Sequence, residues 1–126
     1  EDNQKKVIRM AKELAVKIKA VIVITGETDL VTDGETVYFI KNGVPEMARI
    51  TGCGCMLDGV IAGFIGANQG NILEATVTAV SAMGICGEYA RENAKGTGTL
   101  KVHLIDAMSN IDETWMERSN QIESRS

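Results

Sequence analysis

Ala20-Val21-Ile22-Val23-Ile24-Thr25 is apolar and β-branched at nearly every position. That is the composition of a strand covered on both faces, not of one wetted on alternate residues. In the segment before it, from Asp2 to about Ala20, Val7, Ile8, Ala11, Leu14, Ala15 and Ile18 recur at helical spacing. Lys5, Lys6, Arg9, Lys12, Glu13 and Lys17 fill the other face. An amphipathic helix running into a doubly covered strand argues for an α/β domain, with the strand in a mostly parallel sheet flanked by helices.

Beyond the strand the chain turns at Thr25 to Asp29, and an edge β-hairpin is expected: Leu30 to Thr32, a turn at Asp33-Gly34, then Thr36 to Ile40. After Lys41-Asn42-Gly43, residues Met47 to Ile50 read as extended and are expected to pair antiparallel at the sheet edge. Met56 to about Ala67 carries small or apolar residues on every side, which predicts a central, closely packed helix. Asn71 followed by Glu74 resembles a capping box opening a long helix to about Ala94. Lys95 to Thr99 breaks it, and Leu104, Ile105, Met108, Ile111 and Trp115 form one further stripe. The tail from Asn120 to Ser126 reads as frayed.

With 44% hydrophobic and 24% charged residues among 126, the chain has the makings of a real core. Its 13 Lys and Arg are scattered, the net charge is −4 and aromatics make up 4%, so nothing points to a nucleic-acid groove. No stretch reads as a membrane span or secretory leader. Cys53, Cys55 and Cys86 give an odd count without a disulfide framework, and together with the lone His103 they make no recognisable metal-ligand pattern. The expectation is a reduced, cytoplasmic protein that does not bind metal through thiolates. It begins at Glu1, and it is read as one part of a longer polypeptide.

The chemistry concentrates in Thr51-Gly52-Cys53-Gly54-Cys55, which joins an extended segment to the apolar helix. Glycines at a helix start let an anion approach unpaired backbone N–H groups closely. Cys55 falls in the first turn, where the positive end of the helix dipole favours negative charge. Leu57 stands where a dinucleotide fingerprint needs its third glycine, and the Gly-Lys-Ser/Thr of a P-loop is absent. On spacing alone an anion cradle and a plain tight turn with a small buried cysteine fit about equally.

Resemblance separates them. Val23 to Asp29, Thr32-Asp33-Gly34, Asn42-Gly43, Ile50 to Leu57, Gly84 to Ala90, Lys95 to Thr99 and Val102 to Met108 resemble, in this order, the hydroxyethylthiazole kinase family. That resemblance implies the C-terminal part, over residues 1–126, of a single ribokinase-like domain. It implies transfer of the ATP γ-phosphoryl group to 4-methyl-5-(2-hydroxyethyl)thiazole in thiamine salvage, with Mg²⁺ and ATP, in a homotrimer whose active sites lie between subunits. By the same correspondence Gly52, Cys53, Gly54 and Cys55 form the anion hole, Thr25 contributes to the ATP site and Gly52 to the substrate site. Cys55 takes the place of the superfamily's catalytic aspartate, and Asp58, one turn on, is a second candidate base. The family's Mg²⁺-binding acidic and Asn region, its thiazole-contacting Met and its ATP-contacting Arg have no match here. Other readings are a related hydroxymethylpyrimidine or sugar kinase, against which Cys55 argues, and a non-catalytic nucleotide- or phosphate-binding assembly module.

Overall fold

A computed structural model describes residues 2–50 and 52–125. Its elements run α1 (Asp2–Ile18), β1 (Ile22–Ile24), β2 (Asp29–Thr32), β3 (Val37–Ile40), a 3-10 turn (Pro45–Arg49), α2 (Cys53–Ala67), α3 (Ile72–Asn93), α4 (Thr97–Asn110), α5 (Glu113–Ser119) and β4 (Ile122–Arg125).

The class is mixed α and β, as the opening helix and strand suggested, but the sheet differs from expectation. Its four strands lie in the order β1-β2-β3-β4. Every pairing among the described residues is antiparallel, with Val31 opposite Val23 on one side and Tyr38 on the other. Connection length is the reason. Only residues 25–28 and 33–36 separate β1, β2 and β3, whereas a parallel crossover takes a dozen residues or more. The parallel pairing expected of a mostly parallel sheet is therefore not seen among the described residues. The outer edge of β1 meets no strand among the described residues.

The β2–β3 hairpin forms where expected, for reasons written into its turn. Asp33 Oδ1 accepts the N–H groups of Glu35 at 2.9 Å and Thr36 at 3.0 Å. Thr32 Oγ1 donates to the Thr36 carbonyl at 2.8 Å and accepts the Gly34 N–H at 3.0 Å. Gly34 takes a φ of 101°, which only glycine adopts freely.

Two edge assignments change. Met47 to Ile50 does not pair with the sheet, because Pro45 opens a 3-10 turn there and lacks the N–H a ladder needs. The open side of β3 is taken by the tail instead: Ile122 lies opposite Ile40, and Lys41 donates to the Gln121 carbonyl at 2.9 Å. The C-terminal residues expected to fray are thus a strand from Ile122 to Arg125.

Helices cover both sheet faces. From one side α1 brings Ala11 and Ile8 against Leu30, Val37 and Phe39. From the other, α3 presses Val77 and Val80 on Val31 and Ile40, with Leu57 and Ile61 of α2 joining. A third cluster gathers Met83, Cys86 and Ala90 of α3 with Ile50, Leu100 and Leu104. The single late stripe divides into α4 and α5, since Asp112 accepts the Trp115 N–H at 2.8 Å and starts a new helix. Asn71 is an N-cap by position, but its side chain makes no capping bond.

Helix α2 departs most from expectation. It is as apolar as a core helix, yet none of its residues is buried. One face packs on α3, and the face carrying Gly54, Cys55, Asp58, Gly59, Ala62 and Gly63 lies open in this chain.

Candidate active site

Gly52 is the N-cap of α2 with a φ of 87° and ψ of 4°, a left-handed conformation that strains any residue with a Cβ. This bend converts the direction of the preceding segment into the axis of α2. Thr51, the first residue of the motif, lies outside the described residues. A Cβ added at Gly52 or Gly54 would meet nothing within 4 Å, so the space in front of the turn is open.

The amides of the turn are not equivalent. Cys53 N–H donates to the Ile50 carbonyl at 3.3 Å and Met56 N–H to the Gly52 carbonyl at 2.9 Å. The Gly54 N–H finds no acceptor among the described residues, and the carbonyl one helical turn before the Cys55 N–H belongs to Thr51, outside them. Both amides sit at the positive end of a 15-residue helix, where backbone donors and dipole both favour an anion.

The two cysteines of the motif face different surroundings. Cys53 is half-buried against the cluster of Ile50, Met83 and Cys86, and that burial pushes its thiol up. Cys55 is exposed in the first turn, so the bland alternative of a small buried residue does not describe it. Asp58 is exposed three positions on, on the same face of the helix. Thr25 is exposed just past the end of β1. The adjoining turn is closed by Asp29 Oδ1 accepting the Gly26 N–H at 2.9 Å. Burial pushes the Asp29 carboxyl up against the opposing pull of that hydrogen bond. Val23 of β1 and Leu57 of α2 pack against one apolar cluster, which ties the elements bearing Thr25 and the Gly52 turn to a common base.

Among the described residues no three His, Cys, Asp or Glu side chains gather closely enough to hold a metal ion. An apolar cavity of about 410 Å³ opens between α2, α3 and α4, lined by Val60, Phe64, Met83, Cys86, Met108 and Ile111 among others. It lies towards the opposite end of α2 from the turn.

Sequence reading missed a polar junction behind the turn. Asn42, 4% exposed, donates through Nδ2 to Glu88 Oε1 at 2.8 Å and to the Ser119 carbonyl at 3.0 Å. Its Oδ1 accepts from Ser81 Oγ at 3.0 Å and from the Gln121 N–H at 2.8 Å. The only hint in the sequence was Asn42-Gly43, which suits a turn and carries no sign of partners so distant along the chain.

Comparison with known proteins identifies the family. The profile of the hydroxyethylthiazole kinase family matches residues 1–114. The chain is 46% identical over 109 residues to hydroxyethylthiazole kinase of Clostridium tetani, covering 85% of this chain and 39% of that protein. It is 42% identical over 107 residues to hydroxyethylthiazole kinase of Arabidopsis thaliana, again 85% of this chain and 39% of the relative. Hydroxyethylthiazole kinase 1 of Clostridium botulinum is 40% identical over 124 residues, 98% of this chain and 46% of the other. The structure of hydroxyethylthiazole kinase protein from Pyrococcus horikoshii OT3 superposes with a TM-score of 0.91 at 26% identity, covering 99% of this chain and 48% of that one. The chain thus spans less than half the length of these relatives.

Proposed function

From the premise that this chain belongs to the hydroxyethylthiazole kinase family, we propose that it forms the C-terminal part of a ribokinase-like kinase. The complete protein transfers the γ-phosphoryl group of ATP to the hydroxyl of 4-methyl-5-(2-hydroxyethyl)thiazole, in thiamine salvage. The mostly parallel sheet of that fold would be completed by strands added at the open edge of β1, and the cover of α2 would come from the remainder of the polypeptide or a neighbouring subunit. A homotrimer with sites between subunits, working in the cytoplasm, belongs to the same reading.

One observation carries it: the exposed, glycine-flanked N-terminus of α2, with the Gly54 and Cys55 amides and the Cys55 side chain at one end of the helix. Phosphoryl transfer needs in-line positioning and donors aimed at the equatorial oxygens of the moving group. The turn from Gly52 to Cys55 supplies backbone donors and dipole. The substrate hydroxyl oxygen bonds to phosphorus as the bond from phosphorus to the β,γ-bridging oxygen breaks and ADP departs. The hydroxyl proton passes to Cys55, or to Asp58 beside it. Gly52 leaves room for the alcohol, and Thr25 contacts ATP.

The test is to incubate the full-length polypeptide with Mg-ATP and the hydroxyethylthiazole and follow the phosphate ester by phosphorus NMR. Stoichiometric ester and ADP are expected. Equal turnover on a hydroxymethylpyrimidine would shift the assignment to a related kinase, and tight ATP binding without ester would make the turn a binding module.

A further inference from the structure

The junction behind the turn has a consequence for catalysis that rests on the kinase reading just given. We infer that Glu88 is a positioning residue, which through Asn42 and Gly43 sets where the Gly52–Cys55 turn presents its amides.

The connection can be followed atom by atom. Glu88 Oε1 accepts both Asn42 Nδ2 at 2.8 Å and the Gly43 N–H at 3.3 Å. It therefore grips the backbone where the chain leaves β3. Gly43 has a φ of 122°, so the path out of this grip requires glycine. Four residues on, Met47 lies against Gly87, where any Cβ would collide with the methionine thioether. The Met47 carbonyl accepts the Ile50 N–H at 3.1 Å, and the Ile50 carbonyl accepts the Cys53 N–H at 3.3 Å. Ile50 is itself buried in the cluster that Met83, Cys86 and Ala90 of α3 help to build. One stretch of α3, from Met83 to Ala90, thus holds the linker to α2 at Gly43, Met47 and Ile50.

The chemistry of Glu88 suits this work. A carboxylate accepting a side-chain amide and a backbone N–H makes charge-assisted bonds, stronger than neutral ones and directional. Asn42 is buried with its polar atoms satisfied, and a satisfied buried polar group fixes one geometry because the alternatives leave it unpaired. The hydrogen bonds of Glu88 go to Asn42 and Gly43, so it acts through the linker. Misplacing a catalytic donor by about 1 Å is enough to cost about 100-fold in rate.

The variants Glu88→Ala and Glu88→Gln in the full-length polypeptide test this, with kinetics measured per folded molecule well below the melting temperature. Glu88→Ala is expected to lose at least about tenfold in kcat with KM for ATP changed less than about threefold, while Glu88→Gln, which keeps an accepting oxygen, recovers most of the rate. If Glu88→Ala does not fold, Glu88→Asp shortens the arm by one methylene and is read the same way. Amide hydrogen exchange at Cys53 and Met56, the hydrogen-bonded amides of the turn, is the readout independent of activity: it should quicken at least about tenfold in the Ala or Asp variant and beyond any change at the centre of α3. An unchanged kcat per folded molecule with unchanged exchange at the turn overturns the inference. A wild-type protein that makes no thiazole phosphate, but whose turn still responds in exchange, overturns the kinase reading and leaves the mechanical coupling standing.

Discussion

Helices α2 and α3 are written in much the same alphabet of small and apolar residues, and they have opposite fates. Most of α3 between Ala75 and Ala90 is buried, whereas no residue of α2 is. Their glycines show why. A Cβ on Gly84 would lie 2.6 Å from the Asn42 carbonyl carbon and oxygen, and one on Gly87 would strike Met47; a Cβ on Gly59, Gly63 or Gly66 would meet nothing within 4 Å. Gly84 is required by a backbone contact inside this chain, and the space at Gly87 is filled by the flexible Met47 side chain. The glycines of α2 line a face for which this chain supplies no neighbour, and relatives more than twice its length have ample sequence to do so.

Substituting the glycines breaks the comparison most directly. Gly84→Ala forces a methyl group into the Asn42 backbone, and we expect a loss of about 3 kcal/mol, at the upper end of overpacking costs, as a lower denaturation midpoint at unchanged slope. An effect below about 0.5 kcal/mol would mean that α3 is not held as tightly as the geometry indicates.

Cysteines sharpen the same contrast. Cys86 is 1% exposed, and burial pushes its thiol from the ordinary 9.0 to about 11. The folded state therefore keeps a proton that the unfolded state gives up first. Its contribution is fully present below about pH 9 and is lost as pH rises through about 11, by about 2 to 3 kcal/mol in total. Urea titrations from pH 8 to 11 should show that decline, and Cys86→Ala should flatten it. In native protein at pH 8, an alkylating reagent should modify exposed Cys55 first and Cys86 last.

Smaller effects belong to α2. Cys55→Asp in the full-length polypeptide is expected to keep or raise kcat, because the aspartate offers a standing negative acceptor for the substrate proton. A folded, ATP-binding variant without turnover would exclude the proton-accepting role. Gly63→Ala is expected to stabilise this chain by about 0.5–1 kcal/mol, since it gains helix propensity and meets no neighbour. The opposite sign from Gly84→Ala is the informative result.

Periodicity recovered what is local. The stripe of α1 and the turn chemistry of Asp33-Gly34 are encoded by residues adjacent in sequence or one helical turn apart, and both elements appear where their patterns place them. Three features were not legible, the first because strand composition was weighed above the short connection after β1, the other two because their causes lie far along the chain. An all-apolar strand looks the same whether its partners run parallel or antiparallel, so β1 did not disclose its pairing. Ile122–Arg125 has no apolar alternation of its own, and it is ordered by the open edge of β3. The uncovered face of α2 gives the composition of a core helix without its burial. At the site, the glycines around Cys53 marked the bend, and resemblance supplied the roles proposed for Cys55 and Thr25. The Asn42–Glu88 pair stayed hidden because its members are 46 positions apart.

Asn42 also imposes an order of events on synthesis. Its amide is shared among groups at positions 81, 88, 119 and 121, so a chain emerging from the ribosome cannot complete that junction until Gln121 has left the exit tunnel. Until then a buried amide would lack two of its bonds, which disfavours early closure. Emergence of residues 119–121, rather than formation of the hairpin, therefore times the locking of the linker that carries the glycine turn.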